Sequence, residues 1–168
     1  MPKKDDEDAI EIEAAGKRVR ITHPSKVYFP ARGETKLDLV RYYLAVEQPL
    51  MRALRRRPVM LQRFPQGATG PSFYQKRVPE HAPAWLTQCT VTTPNGTASN
   101  ALVAADVAHV LWAVNMGCLG FHAWSGHDDD LEHPDELRID FDPQPGVVFD
   151  QIREAVHEAK RFLDELGI

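Results

Sequence analysis

A chain of 168 residues with 43% hydrophobic side chains suits one globular domain with a real core. It has no apolar run long enough to span a bilayer and no secretory leader, which predicts a cytoplasmic protein and excludes the helical membrane classes. The net charge of −4 speaks against a polyanionic partner only as an average: residues 17–77 hold fourteen Lys and Arg against three acids, and residues 78–168 hold four against fifteen. A basic half suits a polyanion such as nucleic acid, and an acidic half with paired aspartates suits metal ions.

In chain order, residues 1–9 are a charged tail (Lys3, Lys4, Asp5, Asp6, Glu7, Asp8) whose composition predicts disorder. Ile10 and Ile12, then Val19 and Ile21, alternate around Gly16 and predict a hairpin. Thr35 with Asp38 resembles a capping box that opens a helix carrying Leu37, Val40 and Leu44, which Pro49 interrupts before Arg55, Arg56 and Arg57. Short strands are predicted at 59–63 and 73–76 around a Gly/Pro loop, and residues 89–93 and 97–102 read as a hairpin about Asn95-Gly96. Val107, Val110, Leu111 and Val114 define a helix stopped by Gly117, and residues 119–124 form a strand. Phe149, Ile152, Val156, Ala159, Leu163 and Leu166 keep helical spacing on one face of a last helix. Cys89 and Cys118 lack a Cys-x-x-Cys spacing and read as reduced residues. The alternation of elements gives an α/β (α+β) fold of mixed sheets with flanking helices.

Two constellations carry chemistry. The run Leu137-Arg138-Ile139-Asp140-Phe141-Asp142-Pro143 reads as a strand, so Asp140 and Asp142 project from one face while Ile139 and Phe141 take the other. Two carboxylates that close repel unless a cation lies between them, and a hard divalent ion is the usual solution; a solvated edge strand gives the same pattern. The second constellation is basic. If Thr35 caps the helix, Lys36 lies in its first turn, where backbone amides and the positive dipole end attract an anion. A lysine there, with Lys26 on a nearby loop, makes sense if a phosphate occupies the site; two unrelated solvated lysines share the spacing.

The runs Thr22 through Ser25-Lys26-Val27-Tyr28-Phe29-Pro30 to Gly33-Glu34-Thr35-Lys36, Arg63-Phe64-Pro65-Gln66-Gly67, Phe73-Tyr74-Gln75-Lys76, Ala82-Pro83-Ala84-Trp85, Leu119-Gly120-Phe121-His122-Ala123-Trp124 and Asp140-Phe141-Asp142-Pro143 follow one another in order. In this the chain resembles the polymerase domain of bacterial ligase D, of the archaeo-eukaryotic primase superfamily, which serves non-homologous end joining.

The resemblance implies a primase-polymerase fold over residues 10–168 and a DNA end-binding activity that adds nucleotides in a template-directed, metal-dependent reaction. Asp140 and Asp142 match the first catalytic motif, which binds manganese or magnesium, and His122 matches a histidine that contacts the incoming nucleoside triphosphate. Lys26 and Lys36 match the pair that grips the 5′-phosphate at a gapped or recessed DNA end, and His23 stands where relatives often have asparagine. Phe73 and Tyr74 match an aromatic pair that stacks on template bases, with Arg63 and Lys76 as further DNA contacts; Gln62 replaces a common basic residue. Ku and a DNA ligase are the partners implied, and association with the nucleoid follows from them. The last helix leads into no return strand, and the family's Ser-x-His motif and third aspartate do not occur, so the chain is expected to be the N-terminal portion of such a domain and inactive by itself. The alternative is a non-catalytic end-binding or scaffolding module of a split or truncated repair protein.

Overall fold

The computed structural model describes residues 8–92 and 95–167, so most of the charged tail, together with Thr93, Pro94 and Ile168, lies outside the described residues. The chain divides into two compact units, one running through Glu136 and one starting at Leu137.

In the first unit the alternating Ile/Val pattern forms a hairpin of β1 (Ile10–Ala14) and β2 (Lys17–Ile21), with Ile10 opposite Ile21 and Ile12 opposite Val19. That register puts every apolar side chain of the hairpin on one face, and Val19 and Ile21 are fully buried. Strands β3 (Val27–Phe29) and β4 (Glu34–Thr35) form a second small ladder that delivers the chain to α1 (Lys36–Ala45). Thr35 caps α1, and the reciprocal bond to Asp38 completes the expected capping box. The helix then ends at Ala45, and α2 (Glu47–Leu54) starts on the other side of Val46. The break falls before Pro49 because a proline ring collides with the carbonyl four residues back, here that of Ala45.

The main sheet is built on β5 (Pro58–Arg63). Its pairs with β8 (Ala98–Val103) at Pro58 and Val59 and with β6 (Phe73–Gln75) at Leu61 to Arg63 lie on one edge, and β9 (Cys118–Ala123) takes the other. β7 (Gln88–Thr92) closes the far side of β8. Val59 and Leu61, with Leu102 opposite, face the core, while Met60 and Gln62 face the other way with His122 and Tyr74 opposite. The core face meets α3 (Val107–Asn115), a helix whose residues from Val107 to Val114 are all buried. Asp106 caps it by accepting the Ala108 amide. Gly117 then turns the chain into β9 at φ +84°, where a Cβ would lie 2.7 Å from the Tyr28 hydroxyl, so a side chain is excluded by conformation and by space.

The segregated charges do not stay segregated in three dimensions. Arg56 pairs with Asp128 and Asp129, Lys17 with Asp106, and the buried Arg57 with Asp135 and Glu136. The basic half therefore uses part of its charge to hold the acidic loop of residues 125–136, and the charge left for a ligand is smaller than the sequence count.

In the second unit α4 (Phe149–Leu166) has the expected amphipathic spacing, closed by Gly167 in the left-handed region. None of its residues is buried; Phe149 is 72% and Phe162 60% exposed. Residues 137–143 are not a strand: no ladder partner pairs with them among the described residues. A strand exists only through a neighbour's hydrogen bonds, so the alternation of Asp140 and Asp142 reflects local extension alone.

Candidate nucleic-acid interface

The cluster around Lys26 and Lys36 begins at the end of β2. Thr22 is fixed by Asn115, the last residue of α3, whose side-chain oxygen accepts from the Thr22 amide at 2.8 Å and hydroxyl at 3.1 Å. His23 follows in the left-handed region at φ +48° and bends the chain so that the Lys26 amide returns to the His23 carbonyl at 3.1 Å. The Lys36 and Leu37 amides donate to the carbonyls of Lys26 and Pro24 at 2.8 and 2.9 Å, and the Asp38 amide is held by the Thr35 hydroxyl. The first-turn amides of α1 are thus already satisfied, and an anion here would be recognised by side-chain charge rather than by free helix amides.

Lys36 is buried, with 4% of its surface exposed. Its ammonium donates to the Thr22 carbonyl at 2.6 Å, the Asn115 carbonyl at 3.0 Å and the Asn115 side-chain oxygen at 3.4 Å. Burial, reinforced by the positive charge of Lys26, pulls its pKa down to about 8. Lys26 is exposed, donates to the Pro65 carbonyl and lies 5.8 Å from the Tyr28 ring centroid. No carboxylate pairs with either lysine among the described residues.

A second group of side chains stands on the main sheet. Phe73 and Tyr74 are about half exposed. Arg63 lies 5.1 Å from the Phe73 centroid, donates to the Met116 carbonyl at 2.8 Å and to the Gln75 side chain at 2.6 Å, and is held below the usual arginine range by burial. Tyr74 meets the exposed His122 edge-on at 5.3 Å between ring centroids. Beside them a cavity of about 420 Å³ has an apolar floor of Met60, Val91 and Ala101, with Lys76 and His122 at its rim. Tyr74 and His122 share the face that turns away from the core, with Lys76 at the same cavity, while Phe73 and Arg63 take the other face; each face thus sets a flat ring beside a cationic side chain, which suits an unpaired base and its phosphate.

The resemblance of the sequence is matched by direct comparison. The family described as the LigD primase-polymerase domain matches residues 35–168. The chain belongs to the LigD primase-polymerase family. Its relatives include the multifunctional non-homologous end joining protein LigD of Pseudomonas aeruginosa, 33% identical over 92% of this chain and 18% of that protein. The LigD of Mycolicibacterium smegmatis is 31% identical over 90% of the chain and 20% of that protein, and the bifunctional LigD of Bacillus subtilis 30% identical over 90% and 24%. The chain thus spans about a fifth of these relatives' length. The polymerase domain of Mycobacterium tuberculosis ligase D, solved in complex with DNA, superposes with a TM-score of 0.76 at 26% identity, covering 89% of this chain and 55% of that one.

Within this LigD-type fold the first unit gathers Lys26, Lys36 and His23 in one cluster and Arg63, Phe73, Tyr74, Lys76 and His122 about the main sheet. Asp140 and Asp142 belong to the second unit, where both line a groove of about 360 Å³ closed by Gln151, Ile152 and Ala155 of α4. They offer two hard oxygen donors, and no third His, Cys, Asp or Glu joins them as a ligand group among the described residues. Sequence reading missed Asn115, Gln75 and Gly120. Asn115 carries no local signal, since its partners are 79 and 93 residues away. Gly120 lies opposite Gln62, and a Cβ there would meet the Gln62 side-chain oxygen at 2.8 Å; that clearance leaves room for Gln62 and His122 to approach within 3.5 Å.

Proposed function

We propose that this chain recognises 5′-phosphorylated DNA ends in non-homologous end joining and supplies two metal-binding carboxylates for template-directed nucleotide addition. Lys26 and Lys36, flanked by His23, hold the terminal phosphate of a gapped or recessed duplex. Phe73 and Tyr74 stack on template bases, with Arg63 and Lys76 as further DNA contacts, and His122 contacts the incoming nucleoside triphosphate. Asp140 and Asp142 would hold manganese or magnesium, which, when bound, neutralises the charge that develops in phosphoryl transfer. The observation that carries the reading is the lysine pair: two lysines joined through the bond from the Lys36 amide to the Lys26 carbonyl, with no carboxylate paired to either among the described residues, are stabilised by an anion. The DNA in the Mycobacterium tuberculosis relative's structure supports taking that anion as a DNA phosphate. Ku and a DNA ligase are the partners proposed with it.

Fluorescence anisotropy on a recessed duplex with a 5′-phosphate and on the same duplex with a 5′-hydroxyl tests this. Tighter binding of the phosphorylated end, lost in Lys26→Ala with Lys36→Ala, is expected; equal affinity of the two duplexes sinks the reading. The carboxylate pair, which no third ligand joins among the described residues, favours a second reading, an end-binding module that does not polymerise. Manganese-supported primer extension with the Ser-x-His motif and third aspartate supplied separates the two, because extension abolished by Asp140→Asn excludes the non-catalytic module.

A further inference from the structure

The side-chain oxygen of Asn115 stands at a crossing of three donors: the Thr22 amide, the Thr22 hydroxyl and the Lys36 ammonium. These three come from two separate stretches of chain. Thr22 leads directly into His23 and Lys26, and Lys36 opens α1, while Asn115 closes α3. One amide oxygen therefore ties the root of the loop and the root of the helix to the same point of the buried core. The Asn115 backbone carbonyl adds a second acceptor for Lys36, and the Thr22 carbonyl a third. An ammonium has three protons to donate, so Lys36 has no proton to spare for a new partner unless one of these bonds yields. The longest of them, at 3.4 Å, is the one to the Asn115 side chain, and beyond about that length a hydrogen bond contributes little.

We propose that Asn115 is a positioning residue for terminal-phosphate recognition: its side-chain oxygen holds Thr22 and Lys36 in register and is the ligand a phosphate oxygen replaces on the Lys36 ammonium. This rests on the 5′-phosphate reading above and adds to it a residue that neither sequence motif nor resemblance assigns. The exchange involves no covalent step. One hydrogen bond from Lys36 leaves the amide oxygen for the phosphate, and Asn115 keeps both bonds from Thr22, so the loop stays in place while the lysine changes partner.

The charges that face Lys36 are few. The loop after β2 presents Lys26 and, next to Thr22, the imidazole of His23; β2 and α3 present the neutral oxygens of Thr22 and Asn115; and on α1 the carboxylate of Asp38 is engaged with Thr35 and Arg41. A lysine so placed loses its proton near pH 8, so preference for a phosphorylated end should decline as pH rises through that region. A carboxylate in place of the Asn115 amide would hold the proton to higher pH and move the decline upward. Removing the oxygen would move it downward.

The test is the ratio of Kd for the 5′-hydroxyl duplex to Kd for the 5′-phosphate duplex, measured by anisotropy from pH 6 to 10 on the wild type, Asn115→Asp and Asn115→Leu. We expect Asn115→Leu to lower the ratio at pH 7 by about tenfold and to shift its decline to lower pH, and Asn115→Asp, which keeps the shape, to shift the decline to higher pH. Equal weakening of both duplexes with an unmoved pH midpoint shows a purely structural residue and overturns the proposal while leaving the phosphate reading intact. A wild-type ratio of one at every pH overturns both. A measurement independent of the variants is the NMR titration of the Lys36 side-chain amine: its midpoint should rise when the phosphorylated duplex is bound and stay put with the hydroxyl duplex. A midpoint indifferent to the phosphate refutes partner exchange at Lys36.

Discussion

Lys36 is buried and its ammonium is held by three oxygens, whereas Asp140 and Asp142 stand on exposed backbone without a ladder partner among the described residues. In the proposed function the two regions carry the key charges, one for the DNA end and one for the metal. They differ in how much of the fold has been committed to placing them. In the first, the supports are as informative as the charged groups, since Thr22, Asn115 and the capped start of α1 fix where a cation can be. In the second, the chemistry lies in the carboxylates alone, and their surroundings hold them by local chain geometry. Substitutions should therefore damage stability in the first unit and spare it in the second.

The largest effect is expected at Arg57, which is 3% exposed and donates to the Ser125 carbonyl and, bidentately, to Asp135, with Glu136 alongside. Arg57→Ala should cost about 2 kcal/mol in urea unfolding, because it removes a buried guanidinium together with its bonds to the half-buried Ser125 carbonyl and to Asp135. A loss under about 1 kcal/mol would mean that the acidic loop is held by something else.

Next comes pH. Burial holds the pKa of Lys36 at about 8 in the folded protein, against an ordinary lysine value of 10.5. Between those values the unfolded chain binds more protons than the folded one, so this group makes stability rise with pH across the window and adds no slope below it. The difference in unfolding free energy between wild type and Lys36→Met should slope by up to about 1.4 kcal/mol per pH unit there. A flat difference would place Lys36 in water rather than in the core.

Smaller still is the stacking platform. Tyr74→Ala should weaken binding of a single-stranded template by about tenfold, as expected for the loss of one base-stacking ring, and Tyr74→Phe should restore it. The smallest effect on folding belongs to the second region: Asp140→Asn with Asp142→Asn should alter stability by less than about 0.5 kcal/mol while abolishing manganese-dependent proton relaxation enhancement. Persistence of that enhancement would move the metal to other carboxylates, the acidic loop first among them.

Much of the architecture was legible from local rules. The β1–β2 hairpin follows from period-two alternation around Gly16, α1 from its capping box, and α3 from an apolar run closed by Gly117. The cluster at Lys26 and Lys36 was legible as a spacing, but its electrostatic logic was not: the α1 amides expected to receive an anion are bound to the Lys26 and Pro24 carbonyls. Asn115 was invisible because its role depends on contacts across 79 to 93 residues of chain, and no periodicity encodes such a contact. The same distance hides the ion pairs of Lys17, Arg56 and Arg57, so counting charge by halves overstated the basic surface. The segment around Asp140 alternates as a strand does, yet alternation describes side chains, and pairing needs a second backbone.

The unequal burial of Lys26 and Lys36 has a consequence for the reactivity of their amines. Acylating reagents attack the neutral amine, and a pKa of about 8 gives Lys36 far more of it near neutral pH than an ordinary lysine, but 4% exposure slows the approach of a bulky reagent. Lys26 has the opposite properties, an open approach and an ammonium that donates to the Pro65 carbonyl. A brief acetylation followed by peptide mapping should therefore mark Lys26 and leave Lys36 clean. Lys36 should become labelled far more slowly, and more slowly still when a phosphorylated duplex occupies its ammonium, making its acetylation a readout of end binding at the root of α1.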